Sequence, residues 1–531
     1  SVMRNSRMTD YVAELIGPAI RFHHGKVNSK LPGTATKIKF HQDFLFQPMT
    51  NDDLITALLY IDDVNLENGP LEVVPGSHKG PAYDHHENGV FVGAVNISDV
   101  DLDSAASIIL EEAGESANII VGAVIDTNMK DDIQVTVIST GFNTMSNDIE
   151  KLNNVDKPIE AANGLPNECY TSKDYFIHER EKVFFNKWTV VGVASSLPNP
   201  GDAKPYSLLG IPLIILRDKK MQIRVFHNVC SHRGFKLLDE TCTLKNVLRC
   251  MYHSWSYDFS GKLVATPHIG GLNNHKSNNF DKTKSNLKEV KTKVWMDIIF
   301  VNINSNEIDF DEYIKPLENR WSKFISKEDH NLLVHSNDYG YFNLEVECNW
   351  KFAIENYCES YHLPTIHPEL NKVSNINDHY HIQGLPNRFA GQGSKKYEQP
   401  MKGNKKFNTF HNWDKDMLKN SEYVALFPNV MIGLHIDHFY VFWLEPLAIN
   451  KTKEHMQMYY VGSESANGNE LKDLRKENSR FWKDVMLEDV RAIEGMQDGR
   501  NSPVYNGGNF SPVMDKPTHQ FHKWVANSLM R

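Results

Sequence analysis

The stretch "CSHRGFKLLDETCTLKNVLRCMYHSW" constrains this chain more than any other. It holds Cys230-x-His232 and Cys250-x2-His253, with seventeen residues between the two halves. Each half offers one thiolate and one imidazole from a tight loop. Two such loops can hold a [2Fe–2S] cluster, with the cysteines on one iron and the histidines on the other. Neutral imidazoles in place of two thiolates lower the negative charge and raise the potential, which suits a centre that passes electrons on. Structural zinc also takes two cysteines and two histidines. Classical fingers, however, pair C-x-x-C with H-x3-5-H, so the spacing here favours the cluster.

Composition bounds the rest. A chain of 531 residues calls for two or more domains. Its 40% hydrophobic and 23% charged residues suit soluble globular material with an ample core. A net charge of −10 without a long basic tract argues against nucleic acid as a partner. No apolar run approaches the length needed to span a membrane, and "SVMRNSRMTD" lacks the apolar core of a signal peptide. Six cysteines in so long a chain fit a reducing cytoplasm better than a disulfide scaffold.

The extended match "CSHRG…CMYHSWSYDFSGKL" closely resembles the Rieske domain. Arg233, Gly234 and Trp255 are then expected to shape and cover the cluster, and Cys242, between the loops, to be a plain thiol.

A second site is expected in "ENYCESYHLPTIHPEL". His362 and His367 are five apart, so on one straight helix they would point about 140° apart and could not share a metal. Pro364 lies between them. A helix over 349–362 that ends or kinks at the proline lets His367 swing back beside His362. Glu359, three residues before His362, shares its helix face. The order C-x-H…C-x-x-H…E-x-x-H-x4-H resembles the Rieske non-haem iron oxygenases. A non-haem iron of this kind takes two histidines, one carboxylate and open positions for dioxygen. In "RFWKDVMLEDVRAIEGMQDGR" Asp489 falls within the apolar stripe Trp482, Val485, Ile493 and Met496. A carboxylate on a buried face is costly unless paired or bound to metal, so Asp489 is the expected third ligand. The neighbouring Glu488 points about 100° away and is expected to face solvent. In the resembled family the third ligand sits in a similar acidic pair ahead of a Glu and a Gln, here Glu494 and Gln497.

The resemblance implies more. A carboxylate at position 359 would bridge a cluster histidine, His253 of a neighbouring subunit, to His362 across a homotrimer boundary. Most ring-hydroxylating members carry aspartate there. Glutamate resembles the branch that oxidises glycine betaine, carnitine and choline, as do "EYVALFPNVMIGLHIDHFYVFWLEP" and "GGNFSPVMDKPTHQFHKWVA". Tyr423, Phe427, Phe439, Phe442 and Trp443 could wall a methylated ammonium, although aromatic runs of this density more often build core. The implied reaction is monooxygenation: dioxygen and electrons from a separate NAD(P)H-dependent flavin/iron-sulfur reductase hydroxylate an N-methyl group of a small molecule, which then leaves as formaldehyde. Dihydroxylation of an aromatic ring is the nearest alternative. A Rieske electron carrier without a second iron is the alternative of another class.

Ahead of these sites the texture differs. Residues 1–95 resemble a truncated phytanoyl-CoA dioxygenase, through "HQD" and "ENGPLEVVPGSHKG". His41 and Asp43 could be two iron ligands on one strand face, but the third has no match, and His78, His85 and His86 lie too close to replace it. Residues 96–143 resemble a C-terminal fragment of the division protein FtsZ, through "ANIIVGAVIDTNMKDDIQVTVISTGF", without any phosphate-cradling glycine loop before it. "DLDSAASIILEEA" is expected to be helical, and 144–164 a polar linker.

The expected fold is therefore α+β and multidomain. A Rieske β-domain over 165–285 precedes a helix-grip-like catalytic domain over 286–531, with a curved antiparallel sheet. A partial double-stranded β-helix fragment and a small α/β fragment stand before them.

Overall fold

The computed structural model describes residues 151–530, apart from 306 and 399–404, and four short strands nearer the N-terminus. The chain divides into two compact units, 1–148 and 149–531. In the first, His86–Glu87 pairs with Val90–Phe91 and Val121–Ala123 with Val135–Val137, both antiparallel. The latter two strands fall within "ANIIVGAVIDTNMKDDIQVTVISTGF". His41, Asp43 and the helix expected before these strands lie outside the described residues.

The second unit opens on residues read as a linker. Over 151–164 these are packed: Leu152 and Val155 are buried, and the Val155 carbonyl meets His519 Nε2 at 2.7 Å. A seven-stranded antiparallel sheet follows. It comprises β1 (Thr189–Val193), β2 (Asp202–Leu208), β3 (Ile211–Arg217), β4 (Ile223–His227), β5 (Cys242–Thr243), β9 (Glu289–Trp295) and β10 (Ile298–Asn302). Its spatial order is β1-β10-β9-β4-β3-β2-β5. A small sheet of β6 (Leu248–Arg249), β7 (Ser256–Tyr257) and β8 (Leu263–Ala265) is set into it. The two Cys-x-His loops precede and join these strands. Ile214, Leu216, Phe226, Trp255 and Tyr257 form a core beneath them.

After α1 (Phe310–Trp321) comes an eight-stranded antiparallel sheet. Its strands are β11 (Leu333–His335), β12 (Tyr341–Val346), β13 (His379–Gln383), β14 (Phe389–Ser394), β15 (Ser421–Leu426), β16 (Val430–Leu434), β17 (His438–Ala448) and β18 (Lys451–Val461). The order runs β11-β18-β17-β16-β15-β14-β13, with β12 also on β18. Its middle strands are buried on both faces and so read as near-continuous apolar runs. Alternation still sorts the side chains: Val424 and Leu426 enter one core, Tyr423 and Ala425 the other. The second core is shared with α2 (Trp350–Cys358), α5 (Lys472–Gly499) and α6 (Lys516–Met530). Two short helices, α3 (Leu363–Ile366) and α4 (Pro368–Val373), lead from α2 back to the sheet.

Candidate active site

The Cys230-x-His232 and Cys250-x2-His253 loops share one backbone pattern. Gly234 N–H donates to the Cys230 carbonyl and Ser254 N–H to that of Cys250, each at 3.0 Å. Cys230 N–H donates to the Phe235 carbonyl and Cys250 N–H to that of Trp255, each at 2.8 Å. Gly234 and Ser254 both take the left-handed conformation, with φ of 70° and 58°. For Gly234 this is the physical reason for the residue type. Both cysteines are buried, whereas His232 is exposed and His253 half-buried. The two imidazoles face each other at 4.6 Å between ring centroids, and Trp255 stacks on His232 at 4.6 Å. Trp255 thus covers the His232 ring. Cys242 is an exposed thiol on β5. Burial pushes the Cys230 thiol up, and nearby Cys250 adds to this against the Tyr257 hydroxyl, 3.2 Å from Cys230 Sγ. His253 Nδ1 is buried without a hydrogen-bond partner. Two neighbouring buried thiols and an idle imidazole nitrogen are the donor set a [2Fe–2S] cluster satisfies.

The histidine pair at 362 and 367 is arranged differently from the sequence expectation. Helix α2 stops at Cys358, and Glu359 is already extended, with φ −120° and ψ 161°. The break therefore precedes both histidines. Pro364 opens α3, where a missing N–H costs nothing. His362 and His367 flank this one-turn helix, and their rings lie 5.0 Å apart. Asp489, on α5, brings Oδ1 to 2.9 Å from His367 Nε2 and 3.8 Å from His362 Nε2. One ligand atom from each residue falls within 4.8 Å of the other two. Asp489 Oδ1 is buried and makes no hydrogen bond of good geometry. Such an orphaned carboxylate oxygen facing two ring nitrogens fits a two-histidine, one-carboxylate metal centre.

Each Nδ1 is held from behind by a carboxylate. Glu359 Oε1 lies 2.6 Å from His362 Nδ1, and Glu488 Oε2 lies 2.8 Å from His367 Nδ1. A ring that donates from Nδ1 presents its Nε2 lone pair to the centre. Glu488 is exposed, as its helix face suggests, and it also contacts His367. Its side chain is 37% exposed, yet its oxygen turns inward, because α5 runs beside α3. Burial opposes protonation of His367, but Asp489 and Glu488 outweigh it and hold its pKa above the ordinary value. Burial also pushes the Glu454 carboxyl, on β18, up to about 8, with help from Asp489 and Glu494.

Glu359 is positioned by its neighbours. Gln392 Nε2 on β14 donates to its carbonyl at 2.7 Å, and Gln392 Oε1 accepts from His379 Nδ1 at 2.6 Å. Gln497 and Glu494 hold α5 in place by accepting from Asn349 N–H and Glu347 N–H, each at 2.9 Å.

The aromatic run is buried core, as runs of this density more often are, and it divides between two cores. Tyr423 faces Trp482 and Tyr357 on the core shared with α2 and α5, and Phe442 points to that core as well. Phe439 and Trp443 point to the opposite core, and Phe427 packs on Phe521 and Trp524. Strand alternation enforces this split, and a run of aromatic letters hides it.

A β-domain with paired Cys-x-His loops, joined to a curved sheet bearing a two-histidine, one-carboxylate centre, defines an oxygenase of the Rieske non-haem iron class. Residues 187–276 match the Rieske [2Fe-2S] domain and residues 334–530 the ring hydroxylating alpha subunit (catalytic domain). Proteins of this kind carry a Rieske cluster and a mononuclear iron. Residues 2–96 match phytanoyl-CoA dioxygenase and 89–143 the FtsZ family C-terminal domain. Among relatives, the carnitine monooxygenase oxygenase subunit of Acinetobacter pittii is 27% identical over 350 residues, 65% of this chain and 86% of that protein. The chloroplastic choline monooxygenase of Arabidopsis thaliana is 25% identical over 385 residues, 70% of this chain and 84% of that one. The same fold occurs in a solved quaternary ammonium Rieske monooxygenase described for carnitine oxidation and inter-subunit electron transfer. It is 23% identical, has a TM-score of 0.58, and covers 70% of this chain and 97% of that one.

Proposed function

We propose that this chain is the oxygenase component of a monooxygenase acting on a small quaternary ammonium compound such as glycine betaine or carnitine, most simply by N-demethylation. The observation that carries the chemistry is the meeting of His362, His367 and Asp489, each histidine backed by a carboxylate. The relatives that act on carnitine and choline support the substrate class.

In this reading Cys230, His232, Cys250 and His253 hold the cluster, and His362, His367 and Asp489 hold the iron. When bound, these groups supply electron storage and activation of dioxygen. The chain's own residues do the rest. Glu359 fixes the tautomer of His362 and offers its carboxylate as the bridge to His253 of a neighbouring subunit in a homotrimer. Glu488 does the same orienting work on His367. The apolar residues of the sheet and α5 keep water from the reacting C–H bond. The sheet of β1–β5, β9 and β10, which ends at Asn302, forms the electron-receiving domain, and the residues from α1 onward form the catalytic one; the boundary expected at 285 would cut this sheet. Electrons come from a separate NAD(P)H-dependent flavin/iron-sulfur reductase, in the cytoplasm. Among the described residues no helix is long and apolar enough to cross a membrane.

The test is product analysis with a competent reductase and, in parallel, glycine betaine, carnitine and an aromatic acid. Formaldehyde or a cleaved amine from an ammonium substrate supports the reading. A cis-diol from the aromatic acid alone replaces it with ring dihydroxylation.

A further inference from the structure

His435 follows β16 at the mouth of the β16–β17 turn and is 1% exposed. Neither of its ring nitrogens has a hydrogen-bond partner. Aromatic rings surround it: His438 stacked at 4.2 Å, Tyr397 at 4.5 Å, Trp482 at 5.1 Å and Tyr423 at 5.5 Å. A buried imidazole with both nitrogens idle is costly, and native proteins pair such groups.

The neighbouring His438 provides the contrast. Trp482 Nε1–H donates to its Nε2 at 3.0 Å, and its Nδ1 lies 2.6 Å from Asp437 Oδ1. An indole only donates, so Nε2 is the acceptor and Nδ1 carries the proton. Both nitrogens of His438 are thus used inside the chain, and neither nitrogen of His435 is. Burial, reinforced by His438, holds His435 well below the ordinary imidazole range. It therefore presents one N–H donor and one lone pair.

The basket also lies close to the metal-ligand triad. Trp482 precedes Asp489 by seven residues on α5, about 10 Å along the helix axis. Tyr423 stacks on His379 at 6.4 Å, and His379 is near enough to His362 to feel its charge.

We propose that His435 is a specificity-determining residue that hydrogen-bonds the oxygen-bearing pole of the substrate, a carboxylate or hydroxyl, while the methylated ammonium end lies toward His362, His367 and Asp489. This rests on the quaternary ammonium reading and sharpens it. A trimethylammonium group has nothing to offer either nitrogen, whereas a carboxylate takes the N–H and a hydroxyl can engage either one. The aromatic faces around His435 exclude water from that contact.

Calorimetric titration of the full-length oxidised protein tests this with glycine betaine, choline and the oxygen-free ethyltrimethylammonium, alongside turnover. His435→Phe keeps the ring volume, and His435→Gln restores a donor and an acceptor. The expected result is a weakening of about tenfold for the oxygen-bearing ligands in His435→Phe, no change for ethyltrimethylammonium, and recovery in His435→Gln. A larger loss for glycine betaine assigns the carboxylate, and a larger loss for choline assigns the hydroxyl. An equal loss for all three ligands, or none for any, overturns the proposal while the substrate class stands. If the unaltered protein neither binds nor oxidises any of the three, the quaternary ammonium reading fails first and takes this proposal with it. Cluster absorption and iron content, unchanged in both variants, keep misfolding out of the comparison.

Discussion

Glu488 Oε2 accepts a hydrogen bond from His367 Nδ1 at 2.8 Å, the counterpart of the 2.6 Å contact between Glu359 and His362. The two histidines are thus oriented by two different carboxylates, one from the chain just before them and one from a helix more than a hundred residues on. Removing a carboxylate behind a metal-binding histidine typically weakens metal affinity by about ten- to a hundredfold. Glu488→Gln should do so for the mononuclear iron alone. Chelator competition should show the loss, with the cluster spectrum unchanged.

Glu359 should show a different signature, because its role in the proposed function is to connect. Glu359→Gln keeps the size and one acceptor oxygen but loses the charge. The expected outcome is a fall in kcat of about tenfold or more with little change in KM. Rapid-mixing spectroscopy should find the cluster still reducible but slow to be reoxidised with substrate and dioxygen present. Because Glu359 also backs His362, rates are normalised to bound iron, and the slow reoxidation should persist in the iron-loaded fraction.

Tyr257 lies 3.2 Å from Cys230 Sγ and accepts from Ser231 N–H at 3.1 Å, so its own proton is free for the sulfur or for Ser231 Oγ. Hydrogen bonds to cluster sulfurs raise the potential. Tyr257→Phe should lower the cluster potential by an amount on the order of tens of millivolts, measured by redox titration followed by circular dichroism.

Much of both sites was legible because it is local. The Cys-x-His loops carry their ligands within a few residues, so spacing alone indicates the chemistry. Asp489 stood out because a carboxylate interrupts an apolar stripe. The helix break was placed too late, at Pro364, because a proline reads as a stop. Here it starts a new turn, and the chain leaves α2 at Glu359. Glu488 was assigned to solvent from helix geometry alone. That geometry is correct, but it says nothing of α3 lying alongside. His435 carried no signal, since its environment is assembled from β15, β17, α5 and a loop far apart in sequence. The aromatic run is core, as its density favoured, but its letters hide that alternation sends Phe439 and Trp443 away from Tyr423.

Stability against acid should depend on Glu355. Its carboxylate is buried, bonded to the Tyr170 hydroxyl and 3.2 Å from His522 Nε2 on α6. Burial disfavours the charge, yet His522 and Arg500 outweigh it and hold the pKa below the ordinary value. A depressed carboxylate pKa contributes stability that is present above the unfolded pKa and lost as pH falls through the folded one. Glu355→Gln should lower the thermal midpoint at pH 7, by the equivalent of about 3 kcal/mol for a broken buried pair. The gap between variant and parent should narrow below about pH 4.5.

The central claim is that two metal centres share this chain and that Asp489 belongs to only one of them. Iron analysis of the anaerobic full-length protein and its Asp489→Ala variant tests it most directly. The account predicts about three irons per subunit in the parent and about two in the variant, with the cluster spectrum intact. Retention of all three irons in the variant, or a parent that holds only the two of the cluster, would contradict it.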